Sequence, residues 1–150
     1  MEEIWKDIGI IKSVDYTGLY QVSNYGQVRS LDRYDNLGRF VKGRILKPKI
    51  YKVKKYPNKI YLKVDLSKNN IATHFSIHRL EAIFFELPIP EHLKDIPIEE
   101  LEVDHIDTNS LNNRLDNLRW TDDWGNANNP LTRQHMSESH KVWWRKHKEN

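Results

Sequence analysis

Residues 103–126 read VDHIDTNSLNNRLDNLRWTDDWGN, and the rest of the chain is interpreted outward from this stretch. It combines a carboxylate at Asp104, an imidazole at His105 and carboxamides at Asn117 and Asn126. Carboxylate and carboxamide oxygens suit hard divalent cations, and a histidine is half titrated near neutral pH. In-line attack on a phosphodiester needs an activated water and relief of negative charge, so these groups together indicate metal-assisted phosphodiester cleavage.

The same stretch predicts two strands and a helix. We expect a strand at 101–105, a polar loop at 109–113, a returning strand at 118–121 and a helix at 122–128. Neighbouring side chains on a regular strand point to opposite faces. Asp104 and His105 can therefore act together only if the strand ends or twists at this pair, which we predict.

Upstream of this stretch, the pattern predicts short antiparallel hairpins. Tyr20 and Val22 precede an Asn24-Tyr25-Gly26 turn, and Val28 and Leu31 follow it. Residues 44–49 are expected to form a short strand, with Pro48 placing it at a sheet edge. Residues 59–67 alternate apolar and polar side chains with period two, which predicts a strand that turns at 68–70 into a second hairpin.

A helical period follows the second hairpin. Ser76 is the predicted N-cap of a helix that places apolar residues on one face until Pro88 and Pro90 end it; these residues are Ile77, Leu80, Ile83, Phe84 and Leu87. Residues 87–101 form a connector rich in Pro and Glu, with room for a short helical turn. We therefore expect an α+β chain of three parts: residues 1–90, residues 91–129 and a basic C-terminal helix within residues 130–150.

Composition and charge restrict the classes of protein. The 150 residues include no cysteine, so a metal must be held by His, Asp, Glu, Asn or backbone oxygen. The net charge is only +3, yet residues 39–63 carry ten Lys or Arg and no Asp or Glu. Residues 81–107 instead carry mainly Asp and Glu, so their local charge is negative. A cationic strip attracts a polyanion, whereas an acidic site needs a cation before it accepts phosphate, so both features favour metal and nucleic acid. The strip is also compatible with a solvated sheet face.

Several motifs resemble the HNH nucleases, in the branch of phage and intron-encoded homing endonucleases. The chain has DHIDTN at 104–109, Asn112-Asn113, NLRW at 117–120 and then Asn126, in the order that this family uses. Residues 20–30, YQVSNYGQVRS, resemble the nuclease-associated modular DNA-binding domain of the same proteins, and GRILKP and IHRLEAIFF match the region between. The resemblance covers most of residues 4–129. Thr108 replaces the glycine that is usual in the family.

This resemblance implies a ββα-metal site (the His-Me finger) and a role for each matching residue. Asp104 and Asn126 would bind one Mg²⁺ or Mn²⁺ ion. His105 would be the general base that takes a proton from the attacking water, and Asn117 would hold the His105 imidazole in its productive orientation. The implied activity is that of a metal-dependent DNA endonuclease with a one-metal mechanism, acting on double-stranded DNA.

Each residue also has a structural interpretation when it is taken alone. Asn117 could cap the following strand, Asn126 could end a helix, His105 could be a structural histidine and Asp104 a surface acid. Asp107 is expected to brace its loop through backbone amides. Trp120 and Trp124 are expected in the core, and His78 and Arg79 could either contact phosphate or serve the structure.

The basic strip, taken from here on to include Arg29, supplies the candidate DNA contacts, which are expected to be mainly with phosphates; they are Arg29, Arg44, Lys47, Lys49, Lys52, Lys54 and Lys55. In the C-terminal helix, either Arg133, Lys141 and Arg145 bind DNA or Trp143 and Trp144 pair with another subunit, so monomer and homodimer stay open.

Two alternative functions also stay open: a non-catalytic DNA-binding or regulatory protein with the same fold, and a nuclease that acts on RNA or without specificity. Without a signal peptide or membrane segment, the expected location is the cytoplasm, that of the host if a phage encodes the chain.

Overall fold

The structure, a computed structural model, describes residues 1–122. Short antiparallel strands and one α-helix make up this part of the chain, as expected for an α+β protein. The strands are β1 (Trp5–Asp7), β2 (Ile10–Ile11), β3 (Val14–Asp15), β4 (Tyr20–Ser23), β5 (Val28–Ser30), β6 (Arg33–Tyr34), β7 (Phe40–Val41), β8 (Lys49–Val53), β9 (Tyr56–Lys68), β10 (Ile71–Ser76), β11 (Glu102–His105) and β12 (Leu118–Thr121). Apart from Asp122, the predicted helix at 122–128 lies outside the described residues, and so does the predicted C-terminal helix within residues 130–150.

The first sheet has the strand order β1-β4-β5 and contains the predicted hairpin. Strand β4 pairs with β5 through Tyr20↔Ser30 and Val22↔Val28 on either side of the Asn24-Tyr25-Gly26 turn. Gly26 has φ +84°, in the left-handed region that favours glycine. The inward side chains Tyr20, Val22 and Val28 are buried, which fixes the register of the hairpin.

The second sheet has the order β10-β9-β8, and its long central strand spans the alternating stretch predicted as a strand. Strands β9 and β10 are joined at Asn69 and Asn70, which have φ +53° and +63°. Two central residues with positive φ define a type I′ turn, whose twist matches that of the strands, and asparagine tolerates this conformation.

The predicted strand at 44–49 is wrong. Here Ile45 makes a single bridge to Arg29, and the next strand begins only at Lys49. The segment is instead held by isolated hydrogen bonds: Asp32 accepts from the Gly43 N–H at 2.7 Å, and Val28 accepts from the Leu46 N–H at 2.8 Å. Because these bonds attach the segment to the edge of the first sheet, a continuous ladder starts only where the chain joins β9.

Helix α1 (Ile77–Phe84) begins at the predicted N-cap, Ser76, although the Ser76 side chain makes no capping hydrogen bond. The helix ends before Leu87, earlier than predicted. The Glu86 and Leu87 N–H groups donate to Ile83 and Ala82, and Glu86 has φ +50°, so a Schellman closure stops the helix ahead of Pro88. No helix among residues 1–122 has the length and apolar run needed to cross a membrane.

Helix α1 contributes to both hydrophobic clusters of the described chain. Ile77 and Leu80 belong to the cluster under the N-terminal strands, whereas Ala82 belongs to a second cluster with Val103 and Trp120. The connector forms two 3-10 turns, Glu91–Leu93 and Ile98–Glu100, and leads into the β11-β12 hairpin. Side chains of α1 pack both against strands that precede residue 90 and against strands that follow it. The predicted division of the chain at residue 90 therefore stays a prediction.

Glu81 is fully buried in α1, and its carboxyl oxygens have no hydrogen-bond partner among the described residues. Burial raises the pKa of Glu81 to about 9, against a smaller opposite effect of the Gly26 backbone N–H, which itself donates to the Ser23 carbonyl. Between its ordinary value of 4.5 and about 9, the folded state therefore binds a proton that the unfolded state has released. The side chain stabilises the fold fully only below this range, and its contribution is lost as pH rises.

We therefore predict that Glu81→Gln keeps a neutral group of the same shape and raises the free energy of unfolding increasingly from pH 5 to pH 9, by up to about 1 kcal/mol per pH unit. Chemical denaturation at several pH values measures this difference. Glu86→Gln, at an exposed position, is the control. A difference between Glu81→Gln and the unsubstituted protein that does not change with pH would contradict the prediction.

Candidate active site

Strand β11 ends at the two residues that the sequence singled out. Asp104 and His105 are 6% and 4% exposed, and the chain turns directly after them, where the Thr108 N–H donates to the His105 carbonyl at 2.9 Å. The predicted end of the strand is confirmed. Thr108 has φ +64°, so it adopts the left-handed conformation for which glycine is the usual residue.

Asp104 faces Arg119 across the β11-β12 pair. Its Oδ2 accepts hydrogen bonds from Nε and Nη2 of Arg119 at 3.0 and 2.9 Å. Charge-assisted bonds from two nitrogens of one guanidinium restrict the orientation of a carboxylate more than a single neutral bond does. The carboxylate thus has a defined direction at the end of β11.

His105 is held by a carboxamide and by two rings. Its Nε2 lies 2.6 Å from Oδ1 of Asn113. Its ring centroid is 4.9 Å from that of His78 and 6.4 Å from that of Tyr61. Because a carboxamide oxygen only accepts, this contact places the proton of a neutral imidazole on Nε2 and leaves the Nδ1 lone pair as the basic position.

The predicted contact between Asn117 and His105 is wrong. The Asn117 oxygen accepts from the Asp107 N–H at 3.1 Å, and its nitrogen donates to Asp107 Oδ1 at 2.9 Å and to the Asn112 carbonyl at 2.8 Å. A 3-10 turn at Leu115–Asn117 places this side chain at the base of β12, facing the loop backbone. Asn117 therefore holds the loop after His105, and Asn113 takes the position at the ring.

Asp107 braces the loop, as the sequence predicted. It accepts from the Asn109 N–H at 2.8 Å and from the Asn112 side chain at 2.9 Å, in addition to Asn117. Partial burial acts to raise the pKa of Asp107, but the hydrogen bonds from Asn112, Asn117 and Asn109 outweigh it and lower the pKa below its ordinary value. The ionised carboxylate thus fixes the loop that carries Asn113.

His78 and Arg79, for which phosphate contact and a structural role were both open, make structural contacts in the described residues, and their contact with phosphate stays a prediction. His78 is buried against His105 and Tyr61, and burial, followed by the charges of His105, Arg79 and Lys63, lowers its pKa to about 3. Arg79 donates to the carbonyls of Leu101 and Ile98 at 2.7 and 2.8 Å and lies over the Trp120 ring. Trp120 is a core residue, as predicted, and its indole donates to the Leu87 carbonyl.

Asp104 is the described residue that offers an anionic oxygen to a divalent cation at this site. Residues 1–122 contain no group of three or more His, Cys, Asp or Glu side chains placed to hold a metal. A carboxylate oxygen suits a hard divalent cation such as Mg²⁺, whereas a closed zinc centre needs more nitrogen or sulfur ligands. The second predicted ligand, Asn126, lies outside the described residues.

The residues of the basic strip occupy different environments. Arg29 stacks on the Trp5 ring at 4.0 Å and donates to Gln21, and Lys49 pairs with Asp65. The remaining strip residues are exposed, on the segment before β8 or on the β8-β9 hairpin; they are Arg44, Lys47, Lys52, Lys54 and Lys55. Arg133, Lys141 and Arg145 lie outside the described residues. Within the described part of the strip, the accessible positive charge therefore lies on the hairpin and on the segment that leads to it.

Sequence reasoning gave no role to Asn113 or to the Tyr61 ring. The Asn112-Asn113 pair was visible as a motif, but a motif does not say which carboxamide meets the imidazole. Tyr61 stood out only as an aromatic residue among lysines. Because β9 runs past the end of β11, Tyr61 reaches the site from another sheet, which no local pattern indicates.

Comparison with known proteins shows which families the chain resembles. Residues 3–71 match the family model of the NUMOD4 motif, and residues 77–126 match that of the HNH endonuclease. The DNA endonuclease I-HmuI of Bacillus phage SP01 is 34% identical over 135 residues, which cover 90% of this chain and 62% of the relative. An uncharacterized HNH endonuclease of Acanthamoeba polyphaga mimivirus is 32% identical over 129 residues, or 85% of this chain and 30% of that protein.

A solved structure extends the likeness to three dimensions. It shows DNA binding and cleavage by the HNH homing endonuclease I-HmuI, and it matches with a TM-score of 0.61 at 34% identity. The match covers 99% of this chain and 68% of that one. By sequence comparison the chain spans 62% of the length of the phage relative, so both relatives contain further residues that this sequence does not match.

We predict that Asn117→Ala destabilises the fold by roughly 1–3 kcal/mol, because it removes three partly buried hydrogen bonds of the carboxamide, to Asp107 and Asn112. Urea denaturation measures the change. Asn36→Ala, at an exposed turn position, is the matched control and is expected to cost far less. Equal stabilities for the two variants would show that Asn117 does not hold the loop.

Proposed function

The chain belongs to the HNH endonuclease family, and from this membership we propose that it is a homing-type endonuclease that hydrolyses phosphodiester bonds of double-stranded DNA with a divalent metal ion. The observation that carries the proposal is the buried pair at the end of β11. Asp104 and His105 are the last two residues of β11, both are buried, and the contact from Asn113 leaves Nδ1 of His105 as the basic position. A carboxylate and an oriented imidazole at the end of one strand suit metal-assisted attack by water on phosphorus.

In the proposed reaction, Nδ1 of His105 takes the proton of the attacking water. Asp104, together with Asn126, would hold one Mg²⁺ or Mn²⁺ ion, which supplies relief of phosphate charge and stabilisation of the leaving 3′ oxygen. Arg119 keeps the Asp104 carboxylate directed, and Asp107 with Asn117 holds the loop beyond His105. With one ordered base, the site needs a single cation and not a cluster of carboxylates.

The exposed hairpin supports duplex DNA as the proposed substrate. Lys52, Lys54 and Lys55 lie on β8 and its turn, near the exposed rings of Tyr51 and Tyr56. Ammonium groups at accessible positions neutralise phosphates and release counterions, which provides affinity with little sequence information. This binding surface supplies the attraction for a polyanion that the acidic region around Asp104 lacks.

We expect His105→Ala to lower the rate of plasmid nicking by about 10²–10⁴-fold, the usual contribution of a general base, while binding to duplex DNA in EDTA is unchanged. His74→Ala is the matched control, because His74 is an exposed histidine on β10 that pairs with Asp65. Agarose electrophoresis of supercoiled plasmid gives the rate, and a mobility shift gives the affinity. Nicking by His105→Ala at the original rate would remove His105 from the mechanism.

Assays on the unsubstituted protein distinguish a DNA endonuclease from a non-catalytic DNA-binding protein and from a nuclease that acts on RNA. Nicking with Mg²⁺ or Mn²⁺ and its loss in EDTA are the expected results. A protein that binds the plasmid but never cuts it would be a DNA-binding protein that retains the fold. Competition by duplex DNA but not by RNA is expected, and stronger competition by RNA would identify a different polyanion as substrate.

We expect the double substitution Lys52→Gln and Lys54→Gln to weaken plasmid binding and to flatten its dependence on salt. Removing one ammonium group that neutralises a phosphate reduces the slope of log K against log salt by about 0.9, so the slope should change by up to about 2. Lys94→Gln, at a lysine that pairs with Glu91 on the connector, is the control. An unchanged slope would place the DNA-binding surface elsewhere on the chain.

A further inference from the structure

The turn between β4 and β5 touches the loop that carries the candidate site. Three consecutive turn residues meet three consecutive loop residues. The Asn24 carbonyl accepts from the Leu115 N–H at 2.9 Å, and the Arg114 guanidinium lies over the Tyr25 ring at 4.6 Å. The backbone of Gly26 packs directly against Asn113. Each residue of the turn at 24–26 thus contacts one residue of the loop at 113–115.

The contact at Gly26 has no room for a side chain. A Cβ added to Gly26 would lie 2.6 Å from the Asn113 Cβ and 2.9 Å from the Asn113 carbonyl oxygen. Contacts this short do not occur between ordinary non-bonded atoms, so one of the two segments would have to move. Gly26 also has φ +84°, which independently favours glycine.

The turn is held rigidly from its own side. Asn24 accepts from the Ile4 N–H at 2.8 Å and donates to the Glu2 carbonyl at 3.0 Å. The Ser23 hydroxyl oxygen accepts from the N–H groups of Tyr25 and Gln27. These bonds attach the turn to the residues that precede β1, so the turn has a defined position where it packs against the loop.

Asn113 connects this contact to His105. Its side chain is 4% exposed, and its Oδ1 lies 2.6 Å from the His105 Nε2. Its nitrogen has no hydrogen-bond partner among the described residues. The imidazole is therefore the sole hydrogen-bond partner that the structure gives the Asn113 carboxamide in residues 1–122, and Gly26 fixes the position of Asn113 itself.

We propose that the β4-β5 turn is part of the active site: Asn113 is the positioning residue that sets the tautomer and direction of His105, and Gly26 seats Asn113. This rests on the proposed function. The oxygen of Asn113 accepts the Nε2 proton, which keeps the Nδ1 lone pair available for the proton of the attacking water. The N-terminal hairpin then has a role in the chemical step in addition to any contact with DNA.

The first test uses two glycines with the same backbone strain and different surroundings. Gly18 has φ +80° and nothing within 4 Å of an added Cβ, so Gly18→Ala reproduces the strain of Gly26→Ala without the collision. We expect Gly26→Ala to lower the single-turnover rate of supercoiled plasmid nicking with Mn²⁺ by about tenfold or more, since small misplacements of a catalytic group are costly. Plasmid affinity in EDTA should stay within about twofold of the original, as only positioning changes. Equal rates for the two variants would overturn the proposal.

The second test changes the carboxamide and does not depend on the glycine. Asn113→Leu keeps the approximate volume but removes the acceptor, and we expect its nicking rate to fall by about 10²-fold or more, within the range for loss of general-base function. Asn113→Asp restores an acceptor oxygen and is expected to recover most of that loss. Equal impairment of both variants, or an unimpaired Asn113→Leu, would show that Asn113 only fills space.

The tautomer of His105 separates this proposal from the proposed function. Nitrogen-15 NMR of the imidazole, at a pH where it is neutral, should show the proton on Nε2 in the unsubstituted protein and a mixture of tautomers in Asn113→Leu. A proton on Nδ1 in the unsubstituted protein would refute the positioning role even if the protein cuts DNA. Conversely, if the plasmid is never cut but the proton is on Nε2, the nuclease function fails and the positioning of His105 stands.

Discussion

The structure depends on the burial of two polar side chains, Asp104 and His105, at the end of a short strand. A buried carboxylate or imidazole is unfavourable unless its polar atoms have partners. Arg119 supplies a partner for Asp104 from the facing strand, and Asn113 supplies one for His105 from the following loop. The loop carboxamides divide this work: Asn113 bonds the buried imidazole, whereas Asn112 and Asn117 bond Asp107 and so hold the loop that carries Asn113.

The loop can supply Asn113 only because it is held at several points. Asp107 and Asn117 tie its two ends together, and the turn at Asn24-Tyr25-Gly26 limits its position from outside. A loop that needs a defined shape is expensive in conformational entropy, and several short hydrogen bonds in one place offset that cost. The same bonds leave Thr108 in a left-handed conformation, which a glycine would adopt more easily.

Local sequence patterns predicted most of the strands and the helix, but they could not predict contacts between segments that are distant in sequence. The hairpins, α1 and the β11-β12 pair follow from periodicity and turn residues, and the bracing role of Asp107 follows from its place before a polar loop. The segment at 44–49 has strand composition, yet its backbone bonds go to another sheet. Asn117 and Asn113 are the same residue type in one loop, so spacing alone could not tell which of them faces His105. The contact of Gly26 with Asn113 joins residues far apart in sequence, and only the folded chain brings them together.

Helix α1 explains why these distant segments stay in register. Its first turns pack under the N-terminal sheets, and Ala82 and Ile83 pack with β11 and β12, so the helix cannot shift without disturbing both clusters. His78 on this helix lies against the His105 ring. Glu81, on the same helix, is buried, and the Gly26 N–H partly opposes the rise in its pKa. Close packing transmits displacement, because interiors have few voids that could absorb it. The N-terminal hairpin, α1 and the loop after His105 therefore form one mechanical unit, and the geometry at His105 exists only while all three are folded together.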